Sequence, residues 1–190
     1  MQEYIKIFNG YRHAYGIADW TNATVDPESG KKKPDYRWTY EEFTDQIYQD
    51  HLTGEKSVGA QPTNENGDAK FGVIDIDPKA YEGFNKQFYL EAIKQYDLPL
   101  IPIESKSGGL HLYLFMAEFV PSTLVVSFLS NLLPLFNLKP DCEIFPKQTQ
   151  LTKDPETGIL KPGQFINLPY FESKKRRAMN IDGTFFTLEQ

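Results

Sequence analysis

Two aspartates stand two residues apart in the segment from Phe71 to Pro78, whose other residues are mostly apolar and β-branched. Such a segment is typical of a buried β-strand, and side chains two apart on a strand project from the same face. Asp75 and Asp77 would therefore lie close together, repel each other and lose hydration. A divalent metal ion would relieve that cost, and Mg²⁺ and Mn²⁺ prefer carboxylate oxygens. The alternative is a strand end where both acids face water or pair with lysine or arginine.

A second candidate site surrounds a pair of glycines that precede another apolar segment. Gly108 and Gly109 allow a tight turn whose amides can hold an anion, because glycine lets the backbone approach a ligand closely. Lys106 and Ser107 add a cation and a hydroxyl, and His111 stands at the start of the following strand. These groups suit a phosphate. The alternative is an ordinary glycine hairpin beside a buried histidine whose hydrogen bonds are satisfied.

A third group of polar residues lies in the last third of the chain. Asp141 and Glu143 share the parity of one strand face, and Lys147 and Gln148 follow a proline that stiffens the exit from the strand. Asn167 comes later, after a short apolar run. Taken alone, these residues fit a charged loop and a turn.

The overall composition is that of a folded globule. The chain has 190 residues, of which 40% are hydrophobic and 14% aromatic, which suits one domain with a substantial core. A single cysteine, Cys142, excludes an internal disulfide, and with only three histidines it also excludes a cysteine-rich zinc site. No apolar run approaches the roughly 18 residues of a membrane span, and the amino terminus lacks the pattern of a signal peptide. We therefore expect a reducing, cytoplasmic location and no membrane partner.

The formal net charge of −6 argues against a domain that binds nucleic acid mainly through its overall charge. A local basic groove remains compatible with that charge, and two clusters of cations could form one. The clusters are Lys31, Lys32 and Lys33, and Lys174, Lys175, Arg176 and Arg177. The alternative for each cluster is a solvated surface without a ligand.

Hydrophobic periodicity and turn residues predict alternating strands and helices around these sites. The predicted strands cover 4–8, 57–61, 70–77, 100–105, 110–116, 143–145, 165–168 and 185–188. The predicted helices begin near Thr39, with Glu42 completing a capping box, at 84 and at Pro121. Asn66-Gly67 is the strongest hairpin signal and predicts that strands 57–61 and 70–77 pair with each other. Segments 10–37 and 146–163 are predicted to be irregular, within one mixed α/β domain.

The order and spacing of the motifs resemble those of the archaeo-eukaryotic primase superfamily, most closely the primase-polymerases of phages, plasmids and mobile elements. The motifs are the acid-x-acid pair, Ser-Gly-Gly-x-His on a strand, an acid before Phe-Pro-Lys-Gln, and Ile-Asn-Leu-Pro, over about residues 55–171. The resemblance implies an α/β (α+β) catalytic core with a modified RNA-recognition-like sheet, joined to a second small α/β subdomain, with the active site between them. We expect one catalytic domain over 1–190, with the amino-terminal subdomain at about 1–68 and the site segments at about 69–171.

The resemblance also implies a role for each motif. Asp75 and Asp77 match the first metal ligands, and Glu143 matches the third, with Asp141 as a competing candidate. His111 matches the histidine that contacts the triphosphate of the incoming nucleotide. The other residues expected to bind the nucleotide, with Gln148 and Asn167 the least defined, are Ser107, Gly108, Gly109, Lys147, Gln148 and Asn167. The run Lys174, Lys175, Arg176 and Arg177 is expected to contact nucleic acid.

The implied activity is template-directed nucleotidyl transfer with two Mg²⁺ or Mn²⁺ ions and no zinc. The implied partners are template DNA, a primer, and ribo- or deoxynucleoside triphosphates. Many relatives carry a zinc cluster, a helicase or an accessory domain, so we expect a minimal or excised catalytic domain with such a partner outside this chain. Two alternatives stay open. One is a two-metal nuclease or replication-initiation endonuclease, although His111 has no second histidine at a metal-binding spacing. The other is a non-catalytic module of RNA-recognition type, which displays aromatic residues where this chain has two aspartates.

Overall fold

The computed structural model describes residues 1–25, 27, 30 and 32–189 and shows a mixed α/β fold, which confirms the predicted fold class. Its helices are α1 (Gln2–Ile7), α2 (Asp45–Thr53), α3 (Lys86–Gln95) and α4 (Ser122–Leu132). Its strands are β1 (Tyr15–Val25), β2 (Lys32–Thr39), β3 (Val58–Ala60), β4 (Asp68–Ile76), β5 (Leu100–Glu104), β6 (Leu110–Pro121), β7 (Glu143–Phe145), β8 (Thr152–Lys153), β9 (Leu160–Lys161) and β10 (Ile166–Asn167). Lys31, one of the predicted cations, lies outside the described residues.

The acidic segment is the inner strand β4 of an antiparallel sheet with the order β5-β6-β4-β7, here called the second sheet. Its chain order is β4-α3-β5-β6-α4-β7, which is the βαββαβ arrangement of RNA-recognition-like domains. Helices α3 and α4 pack on one face, against residues such as Ile74, Ile76 and Leu112. Gly72 lets α4 approach, because a Cβ there would lie 2.4 Å from the Val125 side chain.

The other face of the second sheet forms a core with a separate sheet and two helices. That first sheet has the order β10-β3-β1-β2, and it contributes Tyr15, Val58 and Ile166 to this core. Helices α1 and α2 fill the space between with aromatic side chains, including Phe8 and Tyr48. The second sheet is therefore buried on both faces along most of its length, so its strands alternate between two apolar environments.

Three segments differ from the predicted elements at the amino terminus. Residues 4–8 belong largely to helix α1 rather than to a strand, because Tyr4 and Phe8 lie one helical turn apart and pack on the same core. The segment predicted as irregular contains the long β1–β2 hairpin. Helix α2 begins at Asp45 after Thr44, so the predicted capping box at Thr39 and Glu42 is wrong.

The hairpin predicted between strands 57–61 and 70–77 is also wrong, although its turn forms. The Asn64 side chain accepts the backbone N–H groups of Asn66 and Asp68, and Gly67 has φ +84°. Beyond one bridge between Thr63 and Ala69, however, the two strands separate, because β3 pairs with β1 and β10 while β4 pairs with β6 and β7. The turn thus carries the chain from the first sheet to the second.

Two later segments differ as well. The loop predicted at 146–163 contains the short β8–β9 hairpin. Residues 185–188 form no strand within the described chain, and Phe185 makes only a single bridge to Met179. None of the described helices has the length and apolar character needed to cross a bilayer.

We expect His51 to make the stability of this fold depend on pH. The imidazole is buried, with Nδ1 accepting the Val58 backbone N–H at 3.1 Å and Nε2 donating to the Pro169 carbonyl at 2.8 Å. Burial lowers its pKa from 6.5 to about 4. Between these values the unfolded chain binds a proton that the folded chain does not, so stability falls as pH falls. The loss between pH 7 and pH 5 should be about 2 kcal/mol.

Urea unfolding at pH 7 and pH 5 measures this difference. His51→Gln should be less stable than the wild type at pH 7 and should lose about 2 kcal/mol less on acidification. His13→Gln is the matched control, since the His13 side chain is 68% exposed, and it should keep the wild-type pH dependence. The same pH dependence in His51→Gln as in the wild type would contradict the assignment.

Candidate active site

A row of polar side chains crosses three neighbouring strands of the second sheet. The register of β4 sets Asp75 directly opposite His111 on β6 and directly opposite Glu143 on β7. Residues opposite each other in an antiparallel pair share a face and have Cβ atoms about 4.5–5.5 Å apart. The row therefore brings together one residue from each of the first three of the four predicted motifs; we call Asp75, His111 and Glu143 the carboxylate row. It borders the first sheet's side of the structure, one pleat beyond the buried Val73 and Tyr113.

The closest contact in the carboxylate row joins its first two members. The Nε2 atom of His111 lies 3.3 Å from Oδ1 of Asp75, and His111 is buried whereas Asp75 is only partly so. The two side chains are thus in contact across the β4–β6 pair. The sequence left His111 either as a phosphate ligand or as a buried structural histidine. In the structure it is buried against Asp75 and also lies at the candidate site.

Asp77 lies just past the end of β4 and is exposed. Its carboxylate accepts the backbone N–H of Lys79 at 3.0 Å and so caps a 3₁₀ turn over Pro78–Ala80. Pro78 favours this turn because its ring presets the backbone for a first helical position. Asp77 is therefore close in sequence to Asp75 of the carboxylate row, but its side chain caps the 3₁₀ turn.

Glu143 and Asp141 are distinguished by the strand ladder. Glu143 opens β7 opposite Asp75, whereas Asp141 is exposed in the turn before the strand and outside the ladder. The exposed Glu143 carboxylate forms an ion pair with Lys147, whose ammonium also lies 5.3 Å from the centre of the Phe145 ring. The register thus favours Glu143 over Asp141 as the acid beside Asp75.

Asp75, Asp77 and Glu143 fit Mg²⁺ or Mn²⁺ in donor chemistry and in strand position, because all three offer carboxylate oxygens. With the side chains as they stand, no group of three or more His, Cys, Asp or Glu residues in the described part of the chain is arranged to hold a metal ion. The reason is visible at two of them, since Asp77 caps Lys79 and Glu143 pairs with Lys147. Asp77 keeps its second carboxylate oxygen for an ion, whereas Glu143 would have to turn from Lys147.

The glycine turn before His111 is closed on itself. The Gly108 N–H donates to the Ser105 carbonyl at 3.1 Å, and the Gly109 N–H donates to the Ser105 hydroxyl at 3.0 Å. That hydroxyl also lies 2.9 Å from the Ser107 hydroxyl. A Cβ on Gly109 would lie 2.1 Å from the Ile76 carbonyl, so this glycine lets the turn sit against the end of β4. Two amides are thereby used inside the turn, and the nucleotide contacts of Ser107, Gly108 and Gly109 stay predictions.

The structure separates the other two predicted nucleotide ligands. Gln148 serves its own loop, because its side-chain oxygen accepts the Gln164 N–H at 2.8 Å and its carbonyl accepts the Thr63 hydroxyl at 2.7 Å. Asn167 lies on β10 of the first sheet, opposite Gly59. Its side-chain oxygen is buried without a hydrogen-bond partner among the described residues.

Asn167 faces a cavity of about 540 Å³ that we call the cationic pocket. The first sheet, the β5–β6 turn and the segment after β10 form its walls. Its basic lining residues are Lys106, Lys174, Lys175, Arg176 and Arg177, and its aromatic ones are Trp20, Tyr36, Phe171 and Phe185. The predicted basic run and the predicted phosphate turn, about seventy residues apart, therefore meet in one pocket.

Two of these cations, Lys106 and Arg176, have no acidic partner among the residues that the structure describes. Arg176 is partly buried, its Nε has no hydrogen-bond partner in the described chain, and burial lowers the pKa of its guanidinium. Burial also lowers the pKa of the Lys106 ammonium, and the nearby charge of Arg176 lowers it further. Glu104, which also lines the pocket, pairs with Lys86, and Glu172 pairs with Lys174 and Lys175, two of the pocket's own lysines. Such a cation pair favours a bound anion.

Tyr113 connects the carboxylate row to the cationic pocket. Its hydroxyl is buried without a hydrogen-bond partner among the described residues. Burial raises its pKa far above the usual value, which the Arg176 charge opposes and the Asp75 charge reinforces. The hydroxyl is thus within electrostatic reach of both charged groups. The sequence had not marked Tyr113, Trp20 or Tyr36, because only the fold reveals their neighbours.

A larger cavity of about 1280 Å³ lies elsewhere, between α1, the end of α3, strand β5 and residues 178–189. Its lining is mostly apolar and includes none of the predicted site residues. The predicted motif residues meet in the carboxylate row and not in this cavity, so the row is the better candidate.

The family model described as "TOTE conflict system, Archaeo-Eukaryotic Primase domain" matches residues 6–188. The chain belongs to this family. The predicted superfamily is therefore confirmed, and the match extends well beyond the four motifs. Membership in the archaeo-eukaryotic primase domain family indicates a nucleotidyltransferase-like enzyme of primase type. No curated protein matches the sequence.

We expect Mn²⁺ to raise the melting temperature of this primase domain by several degrees, because an ion that binds only the folded state stabilises it. Asp75→Asn and Glu143→Gln should lose the shift, since each removes a charged donor. Asp141→Asn is the matched control and should keep it. Melting curves in EDTA and in excess Mn²⁺ measure the shift. Equal shifts in the wild type and in Asp75→Asn would show that the ion binds elsewhere.

Proposed function

We propose that this primase domain is a template-directed primase-polymerase that extends a primer with nucleoside triphosphates. The observation that carries the proposal is the carboxylate row, in which Asp75, His111 and Glu143 meet through strand register. Asp77 adds a third acid at the end of the same strand. The membership in a primase family and the adjoining cationic pocket support the same reading.

In the proposed reaction, the oxygen of the primer 3′-hydroxyl bonds to the α-phosphorus while the bond to pyrophosphate breaks. Two Mg²⁺ or Mn²⁺ ions supply activation of the nucleophile and stabilisation of the leaving group when bound. Asp75, Asp77 and Glu143 would hold these ions, with Glu143 moving from Lys147 to do so. Lys147 would then be free to neutralise phosphate charge beside the row.

His111 would contact the triphosphate from within the row. The Asp75 carboxylate lies 3.3 Å from the imidazole and would help to orient the ring before the nucleotide arrives. A preoriented donor gains more from a phosphate than a mobile one, because less conformational freedom is lost on binding. The cationic pocket would take the nucleic acid, and a helicase or accessory domain would be a partner outside this chain.

The two rival functions are outcomes of one assay. A primed template with labelled nucleotide and Mn²⁺ reports both extension and cleavage of the same strand. Extension supports the polymerase, cleavage without extension supports a nuclease, and binding without either supports a non-catalytic module. A non-catalytic module of RNA-recognition type would present aromatic side chains on its sheet. This sheet has Asp75 in contact with His111 at that place, which disfavours the module.

We expect Asp75→Asn and Asp77→Asn each to reduce extension at least about 100-fold, because a metal site loses a charged donor. Glu143→Gln should resemble them. Primer extension with Mn²⁺ measures the effect, and the melting temperature of each variant checks that the fold is intact. Extension by Asp75→Asn at the wild-type rate would contradict the metal assignment.

Asp141→Asn is the matched control for Glu143→Gln, since it removes an acid two residues away but outside the strand ladder. It should keep most of the activity. A larger loss in Asp141→Asn than in Glu143→Gln would transfer the third metal ligand to Asp141.

We expect His111→Ala to weaken binding of a nucleoside triphosphate about tenfold or more, because it removes a hydrogen bond to a charged group. Binding of a primed template should change little. Calorimetric titration with nucleotide and Mn²⁺ measures the first quantity, and gel-shift titration measures the second. His13→Ala, at an exposed histidine paired with Glu65, is the control. Equal nucleotide affinities in His111→Ala and the wild type would leave His111 a structural residue.

A further inference from the structure

Cations and aromatic rings alternate around the cationic pocket. Four of its basic side chains lie against a ring. These pairs are Lys106 over Trp20 at 4.3 Å, Lys175 and Arg176 over Phe171 at 5.3 and 5.6 Å, and Arg177 over Phe185 at 4.6 Å. A groove that combines positive charge with aromatic faces is typical of single-stranded nucleic-acid sites.

The aromatic surface continues beyond the pocket along the first sheet. Phe165 packs with its ring over Gly16 and Gly59, where a Cβ would come within 2.3 and 2.2 Å of that ring. Trp38 meets Phe165 edge to face at 5.0 Å, and Tyr36 lies 6.3 Å from it on the pocket side. The two glycines thus create a seat for a ring, and the seated ring supports its neighbours.

Two rings of this surface are open to ligands. Trp20 is 50% exposed and Tyr36 is 47% exposed, and both line the cationic pocket. Single exposed rings are common on protein surfaces, so what distinguishes these two is their position among the cations of the pocket. Lys106 lies over Trp20, and Arg176 lies deeper in the same pocket with an unpartnered Nε.

We propose that a single-stranded segment of nucleic acid lies along this surface, with bases stacked on Trp20 and Tyr36. Its phosphates would contact Lys106, Arg176 and Arg177. The proposal deepens the proposed function, and rests on it only in taking the strand to be the template. We call the surface the stacking strip, defined by Trp20, Tyr36, Lys106, Arg176 and Arg177.

The chemistry favours an unpaired strand over the two other nucleic-acid ligands. A duplex keeps its bases stacked inside and offers no faces to Trp20 or Tyr36. A single nucleotide would cover only part of the aromatic surface, because that surface continues beyond the stacking strip through Phe165 to Trp38. The net charge of −6 is also unfavourable for holding a duplex by overall charge, so local stacking gains importance.

The stacking strip leads toward the carboxylate row. Lys106 lies in the turn between β5 and β6, and His111 is the second residue of β6, so one turn joins the strip to the row. This arrangement would deliver an unpaired template base beside the site where a nucleotide is joined.

Fluorescence titration with a single-stranded oligothymidylate in EDTA tests the proposal without metal or nucleotide. The chain has only two tryptophans, Trp20 and Trp38, so binding should quench a signal that arises at the strip. Trp20→Ala and Tyr36→Ala should each weaken binding roughly 5- to 100-fold while leaving its salt dependence unchanged. Lys106→Ala should instead lower the magnitude of the salt slope by about 0.7.

Matched variants separate stacking from folding. Trp20→Phe retains a ring and should stay close to the wild type in affinity, which excludes a general effect of substitution. Tyr96→Ala removes a ring that is 51% exposed at the end of α3, outside the cationic pocket, and should bind normally. Melting temperatures within a few degrees of the wild type would confirm intact folds for the variants compared.

Wild-type affinity in both Trp20→Ala and Tyr36→Ala would overturn the proposal. So would equal or tighter binding of a duplex of the same sequence, or equal quenching by thymidine triphosphate alone. Asp75→Asn should bind the oligonucleotide like the wild type. Loss of extension in that variant with binding retained supports both proposals, whereas a wild-type protein that binds the strand but extends no primer would reject only the proposed function.

Discussion

The antiparallel register of β4 with its two neighbours is the constraint on which the candidate site depends. A slip of one residue would turn Asp75 to the face where Ile74 and Ile76 pack under α3 and α4. Both faces of the strand pack in apolar cores, so such a slip would also place side chains fitted to one core in the other. Packing on two sides therefore holds the register, and the register aligns Asp75 with His111 and Glu143.

Glycines at three places allow the close approaches that this arrangement needs. Gly72 admits α4 against β4, and Gly109 brings the turn before His111 against the Ile76 carbonyl. Gly59 does the same for the Phe165 ring on the first sheet. In each case a methyl group would occupy space already filled by another residue, so the glycine serves packing first. These close approaches also position the candidate site, because the elements that they bring together carry its polar side chains.

The two sheets divide the chemistry between them. The second sheet carries the acids at the end of its strands, whereas the first sheet carries exposed aromatic rings and Asn167. Cations from the β5–β6 turn and from residues 174–177 close the space between them. Opposite charges are thus carried by separate elements of the fold. In the proposed reaction the acids would hold the metal ions and the cations would contact phosphates, which matches that separation.

The sequence by itself determined the fold class, the family and the segments that contribute to the site. These depend on local patterns, such as the alternation around Asp75 and the glycine turn before His111, and on the order of motifs along the chain. Only the tertiary structure decided which residues meet. It separated β3 from β4 despite the Asn66-Gly67 turn, favoured Glu143 over Asp141, and joined Lys106 to Arg176 across the fold. These outcomes depend on pairing between distant strands and on packing of both faces of a sheet, neither of which a local pattern encodes.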